Sequence, residues 1–547
     1  MQGKDTNKVK LWWPLLSAVI LVVGMAIGFN LRDSLRNKRD ITTIIQRNDR
    51  LEQIIDLVSA RYVDSVNTNV LYEDAVEGII RHLDPHTVYI PADRLQRVNE
   101  ELEGSFFGIG VEFAITQDTI QITSVIENGP AEAAGIQIGD KLIKVGDSVV
   151  AGTNITSERI IKMLKGKQFS KVFLTMMDPV SSDLRTISIK RDEIPRYSIE
   201  AAVMLDSVTG IIKINRFSES TFDEFEQKLQ LLKGKGMQNL VLDLRQNSGG
   251  YLEPAKQIAD EFLSGDKLIV STKGINSVAR QYIAGREGNF EEGKLVILVD
   301  EQSASASEII AGAVQDWDRG VIIGRRTYGK GLVQDQFDLG DGSALRLTIA
   351  RYYTPSGRSI QRSFAKGREA YSHDLVTRYE KGELTGNDSA YMADTTKYYT
   401  ANQRVVYGGG GINPDVYVPY DTASISTAML DLVFSDRVKT TVWNYYFKNR
   451  SKLKNFATIQ QFEKGFKGEV LLKEYLAGLD RPTGKVVEML LKNEDNKRFF
   501  SRQMKAVLAR MLYRDDGYYS IIYKDDDMVE KALQLMDDAS YNALISR

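Results

Sequence analysis

Between residues 210 and 336 short apolar, β-branched runs alternate with longer helix-like segments, and this alternation narrows the fold more than any other feature of the 547-residue chain. The runs at 210–214, 240–244, 295–300, 321–324 and 332–336 read as strands, and 221–232 and 252–262 read as helices. A further helix is expected to begin around Ser305, with Ile309, Ile310, Ala313, Val314 and Trp317 on one face. Such a pattern predicts an α/β core. The length exceeds what one core needs, so several domains are expected. A composition of 43% hydrophobic and 26% charged residues suits a globular chain. Absence of cysteine excludes disulfides, thiolate metal sites and cysteine nucleophiles, and histidine is limited to His82, His86 and His373. A net charge of −2 offers a polyanion no general attraction, so nucleic acid is not an expected partner.

Residues 11–29 carry no charge, follow Lys4, Lys8 and Lys10, and include Trp12 and Trp13. Nineteen residues at about 1.5 Å each match the hydrocarbon thickness of a bilayer. No small-x-small cleavage site follows, so a single uncleaved signal-anchor is expected, with residues 1–10 before it. Residues 40–103 are expected to be helical, on the spacing of Ile44, Ile45, Leu51, Ile54, Ile55 and Val58. Within them His82 and His86 are four apart, but Pro85 lies between and breaks the helix a zinc pair would need. A packed turn is expected there, with no metal site. Residues 104–192 alternate like a small β-domain with glycine turns at 129–130 and 146–147. Residues 362–407 are polar and read as an inserted loop region dividing the core into 193–361 and 408–420. Residues 421–547 read as a charged helical extension with no recognisable chemistry.

The chemistry centres on residues 301–334. Ser305 lies where a strand and short loop give way to a helix, and with Glu308 it forms an S-x-x-E capping box. The same position exposes a hydroxyl beside the Ala306 N–H and the positive end of a helix dipole, where an oxyanion would be stabilised. A serine needs a base, and histidine is scarce. Lysine serves if burial lowers its pKa, and Lys330, flanked by Gly329 and Gly331 and by strand-like runs, is the candidate. Residues 324–330 also fit G-x-x-x-x-G-K, but Gly331 stands where a phosphate loop needs Ser or Thr, and a strand follows instead of a helix. Ser451 and Lys454 match S-x-x-K within a lysine-rich helical segment that lacks the motifs accompanying it in penicillin-binding enzymes.

These pieces carry a family resemblance. The stretch around GIGVEF and PAEAAGIQIGDKLIKVGD resembles a PDZ domain, whose glycine loop presents N–H groups to a peptide's terminal carboxylate; the matching positions are Gly108, Ile109, Gly110 and Val111. The whole order of LDPH, PDZ, LVLDLRQNSGG, SASASEIIAGAVQD, TYGKGLVQ, ARYYTPSGRSIQ and GINPDV resembles the C-terminal processing peptidases, or tail-specific proteases, over residues 40–419. The resemblance implies an α+β multidomain chain: membrane helix, helical segment, PDZ β-domain, crotonase/ClpP-like α/β peptidase core and helical C-terminal extension. It implies a serine endopeptidase with Ser305 as nucleophile, Lys330 as general base, Gln334 orienting the lysine and Glu308 near the dyad. The oxyanion donors would be Ala306 and either Gly249 or Gly250, and Ser303 and Ser307 are the rival serines.

No cofactor or metal is implied. The partners implied are protein and peptide substrates with free C-termini, and the membrane; a homo-oligomer or an adaptor is left open. An N-in anchor in the inner membrane with the catalytic part in the periplasm follows from the resemblance. The alternative is a membrane-tethered PDZ scaffold with an inactive peptidase domain, which predicts binding without turnover.

Overall fold

The computed structural model describes residues 50–116, 118–179, 181–386, 396–420 and 426–546. The described residues fall into two compact units, divided between Leu83 and Asp84. The anchor expected at residues 11–29 lies outside the described residues, among which no helix is long and apolar enough to cross a membrane. In the first unit are helices α1 (Arg50–Arg61) and α2 (Thr68–Ile80). Asn67 caps α2, its side chain accepting from the Asn69 N–H. Of the positions expected to face a core, Ile55 is buried while Leu51 and Ile54 are exposed.

The second unit opens on a turn held by Asp84, whose carboxylate accepts the N–H groups of His86 (2.9 Å) and Thr87 (3.1 Å) and the Thr87 hydroxyl (2.7 Å). Strand β1 (Val88–Ile90) and helix α3 (Ala92–Glu103) follow, so the stretch expected to be helical throughout is interrupted. Strand β2 (Ser105–Gly108) leads into an antiparallel sheet of β3 (Val111–Thr116), β4 (Thr119–Val125), β5 (Lys141–Val145), β6 (Ser148–Val149), β7 (Lys171–Met177) and β8 (Leu184–Lys190). Their order is β3-β4-β5-β7-β8 with β6 on β5, so β3 is an edge strand. Helices α4 (Pro130–Ala133) and α5 (Ser157–Leu164) close a core of Ile109, Ile120, Ile122, Leu142, Ile160, Leu174 and Met176. Strand β9 (Asp192–Pro195) pairs back with β2 and leads out of this domain.

The next part of the chain is built on a six-stranded sheet from β10 (Ile199–Met204), β11 (Thr209–Ile214), β12 (Asn239–Asp243), β15 (Leu295–Val299), β16 (Val321–Gly324) and β21 (Val416–Tyr417). The strands lie in that order, antiparallel at β10–β11 and parallel thereafter. Strands β15 and β16 are buried at every residue, which is why they read as unbroken apolar runs. Leu240, Leu242, Leu295 and Ile297 point to one face, covered by α6 (Thr221–Gly234), α7 (Leu252–Asp260) and α8 (Ala306–Asp316). The alternate residues Val241, Val296, Leu298 and Ile323 point to the other. Helix α8 was expected to bury one face; all of its residues are buried.

Beside it lies a second sheet of β1, β13 (Leu268–Lys273), β14 (Arg280–Ile283), β17 (Leu332–Asp338) and β18 (Ala344–Tyr353). The segment 362–407 is more structured than the expected loop: its described part contains α9 (Gly367–Ser372), α10 (Asp374–Glu380) and the hairpin β19 (Lys397–Tyr399) with β20 (Val405–Tyr407).

The extension comprises α11 (Thr427–Val433), α12 (Asp436–Leu453), α13 (Ile459–Gly465), α14 (Glu469–Ala477), α15 (Arg481–Leu490), α16 (Glu494–Ile522), α17 (Asp527–Asp537) and α18 (Ser540–Ile545). Helices α11–α16 share a core around Phe462, Phe500 and Met504. Tyr523 and helices α17 and α18 instead cover the second face of the central sheet, through Val529, Ala532, Leu535 and Tyr541.

Candidate active site

Three serines cluster after β15, and their environments differ. Ser303 is buried and its hydroxyl donates to the Leu244 carbonyl (2.8 Å); Ser307 is buried and donates to the Asn247 carbonyl (3.0 Å). Ser305 is partly exposed and sits at the N-cap of α8 with φ +52° and ψ −111°, a conformation an L-residue adopts at a cost. What holds it is Glu308. The Glu308 carboxylate is fully buried; Oε2 accepts the N–H of Ser305 (2.8 Å) and of Lys330 (2.9 Å), while Oε1 accepts the Gly329 N–H (2.7 Å) and the Thr327 hydroxyl (2.5 Å). One carboxylate therefore ties the serine loop to the lysine loop. Burial pushes its pKa up, opposed by these four donors.

Tyr352 on β18 makes the same connection on the carbonyl side. Its hydroxyl lies 2.6 Å from the Lys330 carbonyl and 3.2 Å from that of Ser305. Lys330 is half-buried, and its ammonium is disfavoured by burial first and by the Arg346 guanidinium second, with Asp84 and Glu308 acting the other way. Its pKa is therefore below the ordinary lysine value. The Nζ donates to Gln334 Oε1 at 2.8 Å, and Gln334 Nε2 donates to the His86 carbonyl at 2.5 Å. Among the described residues no hydrogen bond joins Lys330 Nζ to the Ser305 hydroxyl.

The two glycines beside Ser305 differ in their hydrogen bonds. Gly249 N–H donates to Asn247 Oδ1 (2.9 Å). Gly250 bridges Phe217, which donates to the Gly249 carbonyl and accepts from Tyr251, leaving the Gly250 N–H without an acceptor among the described residues. The Ala306 N–H, first in its helix, also has none there. Gly249, at φ +101°, lies so close to the serine that an added Cβ would stand 2.8 Å from Ser305 Cβ and 3.1 Å from Ala306 N. Sequence reading missed Asn247, whose backbone carbonyl takes Ala304 N–H and the Ser307 hydroxyl and whose side chain ties Gly249 to the Ile214 carbonyl. Tyr352 was also missed, although both sit inside the quoted motifs NSGG and ARYY or next to them.

A family model described as Peptidase family S41 matches residues 208–367, a span that contains Ser305, Lys330 and Gln334, and a PDZ domain model matches residues 96–177. A probable CtpA-like serine protease of Staphylococcus haemolyticus is 31% identical over 389 residues, covering 70% of this chain and 76% of that protein. The chain belongs to peptidase family S41. This S41 chain is a serine-type peptidase of the PDZ-containing, carboxy-terminal processing kind. A carboxy-terminal-processing protease of Bartonella bacilliformis is 33% identical over 333 residues, 59% of this chain and 76% of that one. Among solved structures, a photosystem II D1 C-terminal processing protease is 27% identical with a TM-score of 0.32, covering 57% of this chain and 89% of that chain.

The S41 chain's glycine loop leading into β3 has two adjacent N–H groups, of Ile109 and Gly110, without acceptors among the described residues. Their carbonyls face inward, to Ala131 N–H and Ile126 N–H (each 2.9 Å). Gly110 has φ +79° and lies against Ile194 and Ile126, so the turn requires glycine. Gly108 ends β2, and Val111 begins the edge strand β3.

Proposed function

We propose that this protein is a membrane-tethered endopeptidase that captures free protein C-termini through its PDZ domain and cleaves the tails with a Ser305–Lys330 dyad. The observation that carries the reading is the shared Glu308 carboxylate oxygen, which keeps the two loops together around a partly exposed serine and a lysine of lowered pKa. Neutral Lys330 takes the hydroxyl proton as Ser305 attacks the scissile carbonyl. The N–H groups of Ala306 and Gly250 receive the oxyanion, each worth about 3 kcal/mol of barrier. Lys330 then returns the proton to the leaving amine, and water, activated by the same lysine, releases the acyl group. Gln334 accepts one N–H of the amine, which leaves its lone pair available for the serine proton.

A substrate tail would add to the open edge of β3, with its terminal carboxylate on the N–H groups of Ile109 and Gly110. Residues 11–29 would anchor the chain in the inner membrane, with the catalytic part in the periplasm. The test is cleavage of an unstructured protein with an apolar tail by the full-length chain in detergent. Ser305→Ala and Lys330→Ala should each abolish turnover, reducing kcat by at least about 10³-fold. Wild-type rates in either variant would refute the dyad, and tail binding without any wild-type cleavage would leave a scaffold.

A further inference from the structure

Helix α9, in the described part of the segment 362–407, bonds to the turn that carries His86. His86, whose carbonyl takes the Gln334 amide, has its ring Nε2 2.8 Å from the hydroxyl of Tyr371, on α9. Arg368, on the same helix, donates to the carbonyls of Asp84 (2.6 Å) and Thr87 (3.2 Å) on either side of that histidine. Tyr371 is itself fixed. The Arg362 guanidinium lies over its ring at 3.8 Å and over Tyr328 at 4.6 Å, and is paired with Asp374. The Asp84–Thr87 turn is thus gripped on one side by Gln334 and on the other by α9.

We propose that Tyr371 and His86 are positioning residues for the general base: they hold the Asp84–Thr87 turn so that the Gln334 amide can present only its oxygen to Lys330. The inference rests on the Ser305–Lys330 reading and extends it to a segment with no assigned role. Its chemistry lies in the two ends of a carboxamide. With Nε2 anchored on the His86 carbonyl, Oε1 accepts an N–H of the amine. If the turn slackens, the amide can rotate and aim its N–H₂ at the lone pair, occupying the electrons needed for the serine proton. His86 suits this place because it stays neutral. Burial first, and then the Lys330 charge, lower its pKa to about 4, with Arg362 and Arg368 adding to the effect and Asp84 opposing it. Tyr371 is pushed up to about 12 by burial, so its hydroxyl keeps its proton for the His86 ring. The charged groups facing Lys330 are Arg346, Asp84 and Glu308, and they are the same in the variants below.

The test is steady-state cleavage across pH by the full-length chain, comparing wild type, Tyr371→Phe, His86→Gln and His86→Leu. Tyr371→Phe is repeated in a Gln334→Ala background, with Lys330→Ala as reference. Tyr371→Phe keeps the ring beneath Arg362. It should lower kcat on the order of tenfold at unchanged KM and move the acid limb of kcat/KM to lower pH, because an amide N–H₂ aimed at the lone pair favours the neutral amine. In the Gln334→Ala background it should add no further loss, because its effect passes through that amide. His86→Gln, which still offers the Tyr371 hydroxyl a partner, should retain more activity than His86→Leu. Wild-type kcat in Tyr371→Phe, or an undiminished loss in the Gln334→Ala background, overturns the proposal while leaving the dyad intact. Should Tyr371→Phe fail to fold by circular dichroism, equal activity of the two His86 variants overturns it. Wild-type cleavage by Lys330→Ala would instead bring down the dyad reading itself.

Discussion

Glu308 shows how much one side chain can do here. The bland reading of S-x-x-E is a helix cap, and that capping box is present, with Glu308 accepting the Ser305 N–H. The same carboxylate also takes Thr327, Gly329 and Lys330, so a residue that looks local in sequence joins segments more than twenty residues apart. Four donors converge on two oxygens, and Glu308→Gln leaves one of those positions occupied by N–H₂, facing donors whichever way the amide turns. Loss of the charge and the mismatch should destabilise the fold by roughly 2–4 kcal/mol in denaturant titration. The effect on pH has a definite sign. The Glu308 charge favours the Lys330 ammonium, so its removal lowers the lysine pKa further and frees the neutral base at lower pH. The acid limb of kcat/KM in Glu308→Gln should therefore move down, together with a lower plateau, because Ser305 is less well held. An acid limb unmoved or shifted upward would show that this carboxylate does not act on the lysine.

Among the elements, what the sequence disclosed depended on whether the signal was local. Strands β4 and β16 lie where alternation and the Val321-Ile322-Ile323 run place them, because period two and β-branching are read over a few residues. Strand, loop and glycine punctuation mark Ser305 and Lys330 as candidates, and only the family resemblance gives them roles. Other features depend on distant partners. Helix α8 is buried beyond its expected apolar face because its polar residues Gln315 and Asp316 are taken up by Asn413, Asp415, Arg358 and Ser356. Asn247, Tyr352, His86 and Tyr371 join the site through bonds whose partners no window of sequence contains. The PDZ loop lies on the legible side, and its glycine turn can be tested. Gly110→Val must adopt φ near +79° with a Cβ 3.1 Å from Ile194, a strain of about 1–2 kcal/mol that should tilt the Ile109 and Gly110 N–H groups. The expected outcome is at least a tenfold rise in KM for a protein ending in a free carboxylate, with kcat little changed. Amidating that tail should raise KM in wild type to a similar extent and add nothing in Gly110→Val; additive effects would mean that the carboxylate binds elsewhere.

On the scale of the whole molecule, the central sheet needs two apolar covers, and they come from distant parts of the sequence. Helices α6, α7 and α8 cover one face, and the other is closed by the last turns of the chain, with Val529, Ala532 and Leu535 over Val241, Val296, Leu298 and Ile323. Polar contacts reinforce the second cover. Asp243, at the end of β12, is fully buried and held well below the usual carboxylate range by Arg245 and Lys213 against the cost of its burial, and the Tyr523 hydroxyl reaches it at 3.0 Å. Arg245 also reaches Asp526 at 2.7 Å, and the edge strand β10 gives the Ala202 N–H to Asp516 at 2.8 Å. The end of an extension that reads as charged and helix-prone is thus an integral layer of the peptidase core, because the apolar face of α17 recurs at helical spacing behind an exposed surface of Glu530, Lys531 and Gln534. Val529→Asp places a carboxylate in that layer at a position that is fully buried among apolar side chains, and such burial costs several kcal/mol. The thermal midpoint should fall by about 5 °C or more, with Ser305-dependent cleavage lost in parallel. Lys531→Asp, two residues on and exposed, makes a larger charge change and should stay within about 0.5 kcal/mol of wild type. Equal midpoints for the two variants would mean that the peptidase sheet is stable without its C-terminal cover, and the extension would then have to be regarded as an appendage of the core.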